Sequence, residues 1–132
     1  MPTGADNHHQ IFKICSTDEW TAAADIGVYR GSPDDIRDGF IHFSTAAQAA
    51  ETARKYFSNR HDLLLITFDA ADLGEQLRWE PARDGALFPH LYAPLPTAHA
   101  RGVQPLSLGG DGTPDVAVTL LKLASTWPQE SR

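Results

Sequence analysis

The side chains through which this sequence could do chemistry are Tyr29, Arg30, His42, Ser44, His61, Glu80, His90, Tyr92 and His99. A histidine can give and take a proton near neutral pH, and a carboxylate can stabilise a developing cation. A metal centre is not indicated. There is no H-E-x-x-H, Cys15 has no second cysteine to pair with, and the histidines after His8-His9 are scattered. Neither a Walker loop nor a dinucleotide glycine loop is present. A nucleophile at Ser44 needs a base, but His42, two residues earlier on one strand face, points alongside it and not across at it. Ser44 therefore reads as a helix cap. Glu80 is the one carboxylate of its short strand, which makes it either a strand-end salt bridge or a functional acid. Cys15 precedes a helix start, where a thiolate is stabilised, yet no neighbouring basic residue is evident, so it reads as a buried small hydrophobe.

Short elements have to position these groups. Asp38 to Thr45 reads as a turn, a buried strand and a helix start, with β-propensity from Phe40, Ile41 and Phe43. Alternation puts His42 and Ser44 on one face and Ile41 and Phe43 on the other, so the core can be filled without His42. Thr45 and Gln48 form a capping-box pair, and the adjacent helix N-terminus favours an anionic ligand near His42.

Further strands are expected at 10–15, 28–30, 62–69, 77–80 and 102–106. The uniformly apolar 62–69 run predicts burial on both faces. A helix runs from the Ser16 cap to Gly27, and a single turn spans 33–37 under Ser32. A third helix follows Thr45, with Ala46, Ala49, Ala50, Ala53, Tyr56 and Phe57 inward. The last begins after Thr113-Pro114 and carries Val116, Leu120, Leu123 and Trp127. Arg83 to Ala86 reads as a turn. The proline-rich 87–96 segment excludes a central strand and predicts an extended loop. Leu87, Phe88, Leu91 and Leu95 would pack inward there and present His90. The mixture is α+β.

At 132 residues the chain suits one domain, 10–127, between tails at 1–9 and 128–132, in which His8-His9 is solvated. Apolar content of 42% is ordinary, and no run of about 18 apolar residues suggests a membrane span. The polar first ten residues and the lone cysteine fit a cytoplasmic setting. A net charge of −6 argues against an extensive nucleic-acid surface and leaves a small-molecule ligand as the expected partner.

Tyr29-Arg30-Gly31-Ser32-Pro33 and Asp38 to Thr45, followed by Leu77-Arg78-Trp79-Glu80-Pro81 and Leu87 to Leu95, resemble the small bacterial proteins of domain of unknown function 952. The likeness covers about residues 10 to 108. It implies an ADP-ribosyltransferase-like fold: a split, curved, mostly antiparallel sheet with two or three packed helices around a cleft for NAD. In that superfamily a histidine contacts the ribose beside nicotinamide, an aromatic ring stacks on nicotinamide, and an acid stabilises the oxocarbenium ion. The resemblance thus implies His42 and Glu80 as catalytic residues. It implies His42, Ser44, Tyr29, Arg30, His90 and Tyr92 as cofactor-binding residues, with Tyr92 the stacking ring. The usual acidic motif is absent, so a non-catalytic domain for an anionic or ribosylated ligand is the alternative.

Overall fold

The computed structural model describes residues 10–82 and 85–126. In chain order its elements are β1 (Gln10–Ser16), α1 (Thr17–Ile26), β2 (Val28–Tyr29), α2 (Pro33–Asp38), β3 (Ile41–His42), α3 (Ala46–Tyr56), β4 (Leu63–Asp69), α4 (Ala70–Leu73), β5 (Leu77–Pro81), β6 (Leu87–Leu91), β7 (Leu95–Pro96), β8 (Gly102–Pro105) and α5 (Val116–Thr126). The fold is α+β. Beyond the three helices of ten or eleven residues, α2 is the single turn expected at 33–37 and α4 a further short helix, so the described residues hold five α-helices where two or three packed ones were expected. The tails, Arg83, Asp84, the Leu123 side chain and Trp127 lie outside the described residues.

Pairing is antiparallel throughout, in sheets ordered β1-β4-β8, β2-β7 and β3-β6-β5. β4 is central and covered on both faces, which is why its sequence is apolar without alternation. On one face Ile11, Cys15, Ile66 and Phe68 meet Trp20 of α1, Tyr29, Phe43 and Leu91. On the other, Phe12, Ile14, Leu63 and Leu65 meet Ala49 and Ala53 of α3 and Val116 of α5. Only Ala49 and Ala53 of α3 are buried; Ala46, Ala50 and Tyr56 face outward.

Residues 41–44 bridge two sheets. Phe43 N–H donates to the Pro89 carbonyl of β6 at 3.0 Å, whereas Ser44 exchanges both backbone bonds with Phe12 of β1 at 2.8 and 2.9 Å. The chain thus leaves one sheet and joins the next within two residues. Capping follows the sequence closely: Ser16, Ser32 and Thr45 each accept an N–H three residues on. The C-terminal helix differs, since Asp115 accepts from Val118 N–H at 3.2 Å and Pro114 is bridged to Leu108.

The proline-rich segment is a strand after all. β6 lies at the centre of its sheet, with Trp79 opposite Pro89. An antiparallel residue turns its N–H and C=O to the same neighbour. Pro89 keeps the acceptor that Phe43 needs, and the donor it lacks would face the point where β3 departs. A turn closed by Ala82 N–H to the Ala86 carbonyl (2.8 Å) links β5 to β6.

Candidate functional site

The register of the β3-β6-β5 sheet places His42 opposite His90 and His90 opposite Arg78. These three side chains share one face with Glu80, while Ile41, Leu91 and Leu77 turn to the core. Against this face lies a cleft of about 390 Å³. Phe12, Tyr56, Phe57 and Phe88 supply apolar walls, and Lys13, Asp35, Asp38, His42 and His90 supply the polar groups.

Asp35 holds one end of the site together. It sits in the first turn of α2, where Ser32 and Asp35 form a reciprocal capping box. Its Oδ2 accepts from Lys13 Nζ at 2.8 Å and Ser32 N–H at 2.9 Å, and its Oδ1 from His42 N–H at 3.1 Å and His42 Nδ1 at 2.6 Å. Lys13 also donates to the His42 carbonyl at 3.0 Å. Burial pushes the Asp35 carboxyl up, but the His42 hydrogen bond and the Lys13 charge outweigh it and hold the group well below the usual carboxylate range. The other nitrogen of His42, Nε2, lies 3.0 Å from Asp38 Oδ2. His42 is thereby gripped at both nitrogens.

At the other end, His90 Nδ1 lies 2.8 Å from Glu80 Oε1, which also accepts from the Tyr92 hydroxyl at 2.7 Å. The Tyr92 and then the His90 hydrogen bonds lower the Glu80 carboxyl below its ordinary value, and the same bond to Glu80 raises the Tyr92 hydroxyl. Arg78 lays its guanidinium 4.9 Å from the centre of the Tyr92 ring. Phe40 stacks on His90 at 4.1 Å and lies 4.6 Å from His42 and 5.2 Å from Tyr92, while the two imidazoles meet edge to face at 5.5 Å.

Of the residues singled out from the sequence, His42, Glu80, His90 and Tyr92 come together, but of these four only His42 and His90 line the cleft, with Glu80 and Tyr92 bonded behind His90. The others do not join them as ligand contacts. Tyr29 is 2% exposed in the core under Lys13, and burial, followed by the neighbouring Cys15, pushes its hydroxyl far up. Arg30 is exposed and does not line the cleft, nor do His61 and His99. Ser44 does line it, but it does not cap α3: Thr45 does, and the Ser44 hydroxyl is spent on Thr52 at 3.0 Å. At the start of α3 the Thr45 and Gln48 N–H groups are met by each other's side chains, so two of the donors expected to favour an anion beside His42 are taken by the cap. Cys15 is buried, and its thiol is pushed up to about 12, first by burial.

Sequence reasoning passed over Lys13, took Asp38 and Phe40 only as parts of the turn and strand around His42, and took Asp35 only as part of a helical turn. A charge inside the apolar strand Ile11 to Cys15 was the available signal for Lys13, because such a charge must be paired. Among the described residues no group of three or more His, Cys, Asp or Glu could hold a metal ion. No helix described is long and apolar enough to cross a membrane.

Fold and site together define a small α+β protein whose antiparallel sheets set two carboxylate-held histidines on one cleft. The chain belongs to the family described as protein of unknown function DUF952, whose model matches residues 14–103. It is similar to protein CC0527 from Caulobacter crescentus. The crystal structure of that protein is 45% identical with a TM-score of 0.83, covering 85% of this chain and 98% of that one. Its solution NMR structure is 44% identical with a TM-score of 0.77, covering 84% and 96%. Among curated proteins none matches.

Proposed function

We propose that this protein is related to the ADP-ribosyltransferases and handles a ribosylated small molecule, NAD first among candidates, in the cleft beside His42. The observation that carries the reading is the in-register pair of His42 and His90, each fixed by a carboxylate, on a cleft with aromatic walls. Its volume of about 390 Å³ falls within the roughly 300–1,000 Å³ of small-molecule sites. Aromatic walls suit a nucleobase or nicotinamide ring. Glu80, held ionised behind His90, favours positive charge on a sugar whose C–N bond is breaking. The sheet-to-sheet bend at residues 41–44 is consistent with a split, curved sheet.

Both cations lining the cleft are already paired, Lys13 with Asp35 and Arg37 with Asp34 and Asp38. Binding is therefore expected to rest on the nucleoside part more than on the pyrophosphate. Titration with NAD and with nicotinamide riboside, followed by amide NMR, tests this. Shifts should concentrate at Phe40, His42, Phe88 and His90 with both ligands, and no shift with either at millimolar concentration ends the reading.

A second reading, a non-catalytic domain for an anionic or ribosylated ligand, draws support from the grip of Asp35 and Asp38 on both nitrogens of His42. Shifts without release of nicotinamide from NAD would favour it.

A further inference from the structure

The geometry points to His90, not His42, as the base of this cleft: its Nε2 takes the proton of a hydroxyl acceptor, and Glu80 and Tyr92 hold it for that purpose. The inference rests on the reading of the cleft as a glycosyl-transfer site.

The two histidines are in register but chemically unlike. His42 faces a carboxylate at each nitrogen, so neither nitrogen is open to a hydroxyl of the ligand. His90 faces one carboxylate, at Nδ1. A carboxylate only accepts, so the proton sits on Nδ1 and the neutral ring keeps a lone pair at Nε2. That nitrogen has no hydrogen-bond partner among the described residues, and the His90 side chain, 8% exposed, lines the cleft. The ring is also fixed in direction. Phe40 stacks on one face, His42 meets it edge-on, and β6 is the central strand of its sheet. The Glu80 oxygen that orients it is itself held by Tyr92, whose ring carries Arg78. A carboxylate, an imidazole and a fixed lone pair are the parts of a general-base pair, and a proton arriving at Nε2 is stabilised by Glu80 through Nδ1–H.

The step balances as follows. The acceptor, water or an alcohol, gives its proton to Nε2, and its oxygen pair forms the bond to the anomeric carbon. The C–N bond breaks with its electron pair leaving on the heterocycle, which departs neutral if it was a pyridinium. The imidazolium then returns the proton to solvent. The charged and titratable groups facing His90 are Glu80, His42, Arg78 and Tyr92.

Two measurements test this. Long-range nitrogen–proton spectra of the histidine-labelled protein at neutral pH should show His90 protonated at Nδ1 and bare at Nε2, with a tautomer mixture in Glu80→Ala. A proton on Nε2 overturns the proposal. Nicotinamide release from NAD supplies the second arm: His90→Gln should lower kcat roughly 100-fold and remove the acidic limb of the pH profile. Should that variant fail to fold, Glu80→Gln should lower kcat with KM unchanged. Wild-type kcat with an unaltered limb in a folded variant overturns His90 as base. If the parent protein releases no nicotinamide, the glycosyl-transfer reading falls, and the tautomer spectrum still decides whether His90 presents a basic nitrogen.

Discussion

Lys13 carries an ammonium into an apolar strand and is 5% exposed there, tolerated because Asp35, 2% exposed, meets it at 2.8 Å. Removing one member of such a pair leaves the other buried and uncompensated, which costs about 3–5 kcal/mol. Lys13→Met should lose that much in urea unfolding, and a loss under about 1 kcal/mol would show that water reaches Asp35. His42 is a related case. Alternation places it off the core, which predicts a residue the fold can spare, yet its ring bonds to the same buried carboxylate. Hydrogen bonds to charged groups contribute about 1.5–3 kcal/mol. At 37% exposure His42→Ala should fall in the lower part of that range, read from the denaturant midpoint. A full loss of fold, or none, would contradict this. The strand face of His42 was legible in the sequence. Its link to Lys13 was not, because Lys13 lies 29 positions before it and nothing local joins the two.

Elements were legible where local chemistry decides them and misread where a neighbour decides. Ser16, Ser32 and Thr45 announce their helices, and Leu63 to Phe68 announces a strand covered on both sides. β6 was hidden because Pro89 argues against a central strand, while the compensating fact, that β3 leaves the sheet beside it, is tertiary. Within β6, Phe88 is 7% exposed and Leu87 51% exposed, which corrects the expectation that both pack inward. Phe88→Ala should cost about 3–5 kcal/mol and Leu87→Ala under about 1 kcal/mol. Equal effects of the two would mean the strand face is assigned backwards. The link from β2 to α2 is as demanding. Gly31 has φ +118°, and an added Cβ would stand 2.7 Å from Asp35 Cβ. Left-handed backbone costs an alanine roughly 1–2 kcal/mol before the carboxylate is displaced. Gly31→Ala should therefore lose about 2 kcal/mol or more in a thermal or urea melt and blur the His42 amide signal; an unchanged melt would count against the fit of Asp35 beneath Gly31.

Among the described residues the Lys13–Asp35–His42 contacts join what the backbone joins only at Phe12 and Ser44: the sheet of β1 to the sheet of β3. The stability of that junction has a sign with pH. Asp35 titrates below its ordinary value in the folded chain, so the folded state binds its proton less readily than the unfolded chain does. Its contribution is fully present above the unfolded carboxylate pKa of about 3.9 and is lost as pH falls from there through the lower folded value. Across the neutral range Asp35 adds no slope. Surface carboxylates such as Asp62, lowered by its hydrogen bond with Arg60, add little, since exposed pairs are screened. The urea midpoint should therefore hold level with respect to Asp35 down to about pH 4 and drop steeply below it. The control is Lys13→Met with Asp35→Asn, which removes both charges and keeps an oxygen acceptor for one of the two backbone N–H groups, of Ser32 and His42, that the two carboxylate oxygens serve. That double variant should start lower or level and decline more gently in acid. Parallel acid slopes in the two proteins would show that the junction between the sheets does not depend on the Asp35 charge.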